Sequence, residues 1–154
     1  MSMGGRAAAV ANARSIAERL VAALGLDGGS LVAEIASNDG YLLKHYAAAG
    51  IPVLGIEPAR NVAAAASQAG IRTVVEFFGA DTALALAEGF GRADVIHANN
   101  VLAHVADLRG VVRGIRTLLA DEGVGATEVP YIKDLLDRVE FDTIYHALLC
   151  YFSL

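Results

Sequence analysis

Val32-Ala33-Glu34-Ile35-Ala36-Ser37-Asn38-Asp39-Gly40-Tyr41 begins as a short apolar run, ends that run in small and polar residues, and starts a new apolar pattern. Residues 31–35, bounded by Gly28-Gly29-Ser30 before and by the small-residue turn after, predict a buried parallel strand. Residues 41–49 carry Leu42, Leu43 and Tyr46 on one side and meet Gly50, which predicts a helix and its stop. A second strand over 52–56 then ends in Glu57-Pro58, 23 positions beyond Glu34. Each of the two strands therefore carries a carboxylate at its tip.

The same unit repeats outward from this segment. Ahead of it, residues 7–24 are alanine-rich with Ile16, Leu20, Val21 and Leu24 at helical spacing, and Gly25 is placed to end an amphipathic leading helix. After it, helices are predicted over 59–69, 81–88 with Asp81 as N-cap, and 107–119, and strands over 71–75, 93–98 and 124–129. A short helix over 132–139 follows Pro130-Tyr131. Strict alternation with short connections implies an α/β domain: a parallel sheet with right-handed crossovers and helices on both faces.

Composition limits the function classes. A chain of 154 residues, 55% hydrophobic, has room for one domain and one core. A net charge of −5 supplies no basic stripe and argues against nucleic acid as a partner. The one cysteine, Cys150, excludes an internal disulfide and a cysteine-based zinc cluster, and makes a reducing cytoplasm the default location. No metal site is expected. The longest apolar stretch, residues 47–56, is broken by Gly50, Pro52 and Gly55 and falls far short of the ~20 residues that span a bilayer. Residues 1–13 lack the apolar run of a signal peptide.

A strand, a tight turn, a helix and a second strand tipped by an acid suit a nucleoside cofactor. The turn lets the ligand approach backbone at a helix N-terminus, and the acid accepts from both ribose hydroxyls. Dinucleotide folds place Gly-x-Gly-x-x-Gly after the first strand. This turn instead holds Ala36, Ser37, Asn38, Asp39 and Gly40, so a diphosphate would face the Asp39 carboxylate, whereas the sulfonium and ammonium of S-adenosylmethionine would be attracted. Glu34 has no role in phosphate binding; its bland alternative is a capping or salt-bridged carboxylate. Phe77 and Phe78, after the third strand, are placed to flank an adenine ring or to be simple core. Asn99 and Asn100 at the tip of the fourth strand are placed to hold the methionine part or to cap the loop, and His104 follows in the same loop. A nicotinamide-dependent oxidoreductase is the alternative enzyme class.

Five ordered segments carry a family resemblance. They are Glu34-Ile35-Ala36-Ser37-Asn38-Asp39-Gly40-Tyr41-Leu42-Leu43, Gly55-Ile56-Glu57-Pro58, Ala98-Asn99-Asn100-Val101-Leu102-Ala103-His104-Val105, Glu128-Val129-Pro130-Tyr131 and Phe141-Asp142-Thr143-Ile144-Tyr145-His146. Together they resemble the class I S-adenosylmethionine-dependent methyltransferases that C-methylate nucleotide-linked deoxysugars. The resemblance implies a three-layer Rossmann-like core with a mostly parallel sheet. It also implies a cysteine-rich zinc-binding domain before the core, a final antiparallel hairpin, and a further substrate domain after it. None of these is present in the sequence, so the expectation is an incomplete methyltransferase domain over 1–154. Residues 1–27 would be the leading helix region, 28–129 the cofactor-binding core and 130–154 the start of the substrate-side region. An exposed edge at the fifth strand would favour a homo-oligomer or completion by missing domains.

The resemblance further implies a 4-keto sugar nucleotide as substrate, a base that removes the proton beside the ketone, and a tyrosine that donates to the enolate oxygen. The family motif is Tyr-His-Glu-His, with its tyrosine and second histidine as the proposed pair. Here it reads Tyr145-His146-Ala147-Leu148. Tyr145 matches; Leu148 stands where the base is expected and accepts no proton. His146 is the substitute candidate, although two positions correspond to about 200° of rotation on a helix. Glu128 either orients substrate or caps the turn before Pro130. A catalytically inactive cofactor-binding fragment or interaction module is therefore the other reading.

Overall fold

The computed structural model describes residues 3–139 and 148–153, with side chains from residue 11 onward. The elements are α1 (Met3–Leu24), β1 (Val32–Ile35), α2 (Leu43–Ala48), β2 (Val53–Ile56), α3 (Arg60–Gln68), β3 (Thr73–Val74), α4 (Ala80–Phe90), β4 (Ala93–Asn99), a 3₁₀ turn (Leu102–His104), α5 (Leu108–Leu118), β5 (Leu119–Glu128) and α6 (Ile132–Asp137). The five strands form one sheet in the order β3-β2-β1-β4-β5, and every pairing is parallel.

β1 lies in the middle because all four of its side chains are buried. The period-two alternation of a strand divides them between two layers. Ala33 and Ile35 face a core shared with Leu54, Ile56, Ile96 and Ala98 under α4 and α5. Val32 faces a second core with Val95, Leu42, Leu43 and Tyr46, covered by α1, α2 and Ala66 of α3. Burying each Val, Leu or Ile side chain is worth roughly 1.5–3 kcal/mol, so two such layers hold the central strand from both faces.

Several boundaries differ from the sequence expectation. In α1 the deeply buried residues are Ala13 and Ala17, with Leu20 and Val21 partly buried and Leu24 exposed. Small side chains let this helix approach the sheet closely, so the bulky stripe lies at the margin of the contact. Gly79 occupies the N-cap position of α4, and Asp81 sits inside the first turn. There its charge faces the positive end of the helix dipole without capping it. Asp107 is itself the cap of α5, its Oδ1 accepting the Gly110 N–H at 2.8 Å. β3 shrinks to two residues because it is an edge strand that pairs, among the described residues, only with β2. β5 begins at Leu119, five positions earlier than its apolar pattern, and pairs with β4 through a register shift that skips the polar stretch 120–123.

The loop after β3 packs on α5 without a spacer. A Cβ on Gly114 would lie 2.8 Å from the Gly79 carbonyl oxygen and 2.9 Å from the Phe78 ring. Gly114→Ala should therefore force α4 and α5 apart and cost about 1–3 kcal/mol. Urea denaturation of the two proteins checks this, and equal midpoints would show that the contact relaxes.

Candidate functional site at the carboxyl edge of the sheet

From β1 the chain proceeds to β2 and β3 on one side, and from β4 to β5 on the other, so the connections diverge between β1 and β4. In open α/β sheets, ligands bind at the carboxyl ends of the strands on either side of such a point. The loops there are strained. Ala36 (φ 55°), Asn38 (φ 51°) and Gly40 (φ 76°) follow β1, and Asn100 (φ 54°) follows β4. Non-glycine residues in this region cost free energy and cluster where function requires a fixed loop.

Hydrogen bonds hold the first turn in this shape. The Ser37 N–H donates to Ile56 O, the Gly40 N–H to Ser37 O, and the Asn38 Nδ2 to Ala36 O at 2.8 Å. Gly40 is required twice over, by its positive φ and because a Cβ would sit 2.9 Å from Ile71 Cγ1. The main brace is Glu57, which is 6% exposed. Its Oε2 accepts the Asn38 N–H at 3.1 Å and its Oε1 accepts the Ala59 N–H at 2.8 Å. Each oxygen keeps a further lone pair for a ligand hydroxyl. Pro58, between these partners, is half-buried.

Glu34 lies deeper, 2% exposed, on the face of β1 that carries Val32. Its neighbours across the ladder are Gly55 on β2 and His97 on β4. Gly55 leaves room for Ser37, whose Oγ would be 2.5 Å from a Cβ at that position. His97 is fully buried and its Nε2 shares a 2.8 Å hydrogen bond with the Tyr46 hydroxyl. Three buried polar atoms in this cluster have no hydrogen-bond partner among the described residues: Glu34 Oε2, Ser37 Oγ and His97 Nδ1. Burial, with a smaller contribution from the Asp39 charge, pushes the Glu34 carboxyl well above its ordinary range. Burial lowers His97 to about 4. Burial first, then the charges of Glu34, Glu128 and Asp39, raises the Tyr41 hydroxyl.

The other sequence candidates separate into rim and core. Phe77 is 81% exposed at the carboxyl edge, whereas Phe78 packs into the core under α4 and α5. The two adjacent aromatics thus face different environments, and only Phe77 offers a free ring. Asn99 ends β4 half-buried. Asn100 donates its N–H to Glu128 O at 2.7 Å and its Nδ2 to Glu128 Oε1 at 2.9 Å. Glu128 accordingly braces the loop after β4 and does not cap the turn at Pro130. His104 is exposed at the end of the 3₁₀ turn. Tyr145 and His146 lie outside the described residues. Leu148 is described and half-buried; the next N–H, that of Leu149, donates to Ala103 O at 2.7 Å, which docks this segment on the loop after β4. Tyr46 and His97 were not among the sequence candidates. Their signal was a histidine inside the apolar strand Val95-Ile96-His97-Ala98.

No group of three or more metal-ligating side chains occurs among the described residues. No described helix is long and apolar enough to cross a membrane.

Two experiments probe the buried cluster. Tyr46→Phe leaves His97 Nε2 without its partner and should cost about 1–3 kcal/mol of stability. Because His97 stays neutral in the fold, its contribution is fully present above its unfolded pKa near ~6.5 and is lost as pH falls towards about 4. Glu34 acts in the opposite sense: its folded pKa is raised, so ionisation above the unfolded value of ~4.3 progressively destabilises the fold. Glu34→Gln should therefore gain stability over the parent as pH rises from 4 to 8, read from urea midpoints across that range. A constant difference would mean that Glu34 ionises freely.

The chain is similar to known proteins. A protein-family profile described as "Methyltransferase domain" matches residues 33–124, from β1 into β5. C-methyltransferase NovU of Streptomyces niveus is 38% identical over 141 residues, which cover 92% of this chain. The chain spans about a third of that relative's length, 34%. Among solved structures, magnesium protoporphyrin IX methyltransferase of Synechocystis PCC 6803 with bound SAH superposes with a TM-score of 0.71 at 17% identity, covering 96% of this chain and 68% of that one. The CcbJ methyltransferase of Streptomyces caelestis gives 0.64 at 22% identity, covering 78% and 49%. At these identities the two structures establish a shared fold.

Proposed function

The chain belongs to the methyltransferase-domain family, and from that we propose that it is the S-adenosylmethionine-binding core of an enzyme that C-methylates a 4-keto deoxysugar nucleotide in the cytoplasm. The observation that carries the cofactor assignment is the pair of buried carboxylates, Glu34 and Glu57, set on either side of a strained turn that contains Asp39. A dinucleotide would bring its diphosphate against the acidic side chains of Asp39 and Glu57. A cofactor with a cationic amino-acid end and a neutral nucleoside matches them. The buried Glu34 oxygen that lacks a partner fits such a ligand, since a buried acceptor with no donor is expensive until one arrives.

In this reading Glu57 accepts from the ribose hydroxyls with its remaining lone pairs while its backbone bonds hold it in place. Ala36, Ser37, Asn38, Asp39 and Gly40 form the cradle, and Pro58 its far wall. Phe77 offers a ring face to the base, while Phe78 supports it from the core. Asn99, Asn100 and His104 line the rim after β4. The bound cofactor supplies an electrophilic methyl group on sulfonium. The chain's own share of the reaction is to orient the acceptor and remove a proton beside its ketone, with Tyr145 as hydroxyl donor and His146 as the substitute base. Methylation at carbon is supported by the likeness to a C-methyltransferase along nearly the whole chain, and the acceptor class follows from the ordered motifs of the sequence. The outer edge of β5 pairs with no strand among the described residues. That supports a further strand as its partner, from a second copy or from adjoining chain.

Leu148 favours a second reading, a domain that binds the cofactor without methylating, because a leucine at the expected base position takes no proton. Mass spectrometry after incubation with S-adenosylmethionine and a 4-keto deoxysugar nucleotide separates the two. A product heavier by one methyl group is expected for the enzyme. Binding without product supports the second reading, and Ala147→Glu with Leu148→His should then restore turnover.

The cofactor assignment has its own check. Glu57→Ala should weaken S-adenosylmethionine binding by about 1.5–3 kcal/mol, or roughly 10- to 150-fold in Kd, by isothermal titration. An unchanged affinity would remove Glu57 from the site.

A further inference from the structure

We infer that Glu34 is carried as a neutral carboxylic acid and gives up its proton to solvent when a cationic ligand docks beside it, so that cofactor binding to this domain releases a proton. The inference rests on the cofactor reading above and concerns how the site receives its ligand.

Among the described residues Glu34 has no cation of its own. It is 2% exposed, its Oε2 has no hydrogen-bond partner, and it lies on the core face of the central strand. From β2 it meets Gly55, which brings no charge. From β4 it meets His97, a buried imidazole whose Nε2 is committed to the Tyr46 hydroxyl. The turn contributes Asp39, a like charge, and the phenol Tyr41, and α2 contributes the phenol Tyr46; both phenols feel the Glu34 charge. α1 brings Ala13 and Ala17 to the same core layer, and its Arg14 and Glu18 pair with each other on the surface. The ion pairs Arg92–Asp121, Lys133–Asp137 and Arg138–Asp134 also lie at the surface.

An isolated carboxylate in such a place neutralises by taking up a proton. Burial acts first and Asp39 second in favouring the protonated form. A docked ammonium reverses both effects. The O–H bond of the Glu34 carboxyl breaks, its electron pair remains on the oxygen, and the proton passes to buffer. The ligand's positive charge takes the proton's place, so the charge buried at the site is unchanged. Tyr46 and His97 are positioning residues in this scheme. They fill the space behind Glu34 with groups that stay neutral and supply no competing charge.

Isothermal titration of the chain with S-adenosylhomocysteine in phosphate and in Tris at one pH tests this. The expected heats differ in proportion to the buffers' ionisation enthalpies, with close to one proton released per ligand. The Kd of the parent should tighten about tenfold per pH unit until Glu34 is ionised in the free protein, then level off. Glu34→Gln should bind more weakly and with equal heats in both buffers. Asp39→Asn, which removes the like charge, should move the break in the pH profile to lower pH. Clear binding with buffer-independent heats and a flat pH profile overturns the inference and leaves the cofactor reading intact. Proton release that survives Glu34→Gln overturns it as well, by assigning the proton to another group. Absence of binding, by heat and by equilibrium dialysis, removes the cofactor reading and this inference with it.

Discussion

Glu57 ties three parts of the molecule to one carboxylate. It directly follows β2, receives the Asn38 N–H from the turn after β1, and receives the N–H of Ala59, the N-cap residue of α3. Charge-assisted bonds to backbone donors are among the stronger ones available, and here they are shielded from water. They hold Ala36 and Asn38 in left-handed conformations that a free chain would leave. The geometry of the carboxyl edge, and with it any ligand cradle, follows from that brace. A second brace of the same kind joins Glu128 to both the backbone and the side chain of Asn100 on the loop after β4.

Behind the braced edge the protein tolerates a costly arrangement. Glu34, Ser37 and His97 each leave a buried polar atom without a hydrogen bond, and they share one region of the α1–α2 side of the sheet. Each such atom typically costs about 1–3 kcal/mol. The two apolar layers around β1 bear that cost, because the strand is buried on both faces. Concentrating unsatisfied groups beside a strained loop is the pattern of a site that is completed by its ligand, with stability given up locally for binding. The sequence around the site shows matching economies. Gly55 admits Ser37, Gly40 admits Ile71, and Gly114 admits the Phe78 ring.

The legibility of the chain varied with the kind of signal. β1, β2 and β4 were readable because buried parallel strands are short uninterrupted apolar runs between turn residues, and the acids at the tips of the first two stood out against them. The edge strands were not. β3 needs only two residues to pair with one neighbour, and β5 extends backwards through Ala120-Asp121-Glu122-Gly123, which no apolar pattern marks. In α1 the alanines carry the contact, and alanine is equally at home on a surface, so composition concealed the buried face. Phe77 and Phe78 are identical in type and adjacent, and only packing against Gly114 distinguishes the core ring from the exposed one.

By itself the sequence determined the order of elements, the parallel sheet, and the placing of Glu34, the turn through Gly40, and Glu57 at one end of it. Those properties follow from local periodicity, turn chemistry and the rule that short crossovers are right-handed. Only the tertiary structure decided that Glu57 is committed to two backbone donors while Glu34 is left with an unpartnered oxygen. It also put His97 and Tyr46 behind Glu34, although 51 positions separate that pair. Strand register and the burial of both sheet faces bring these groups together, and neither register nor burial is a property of any one segment.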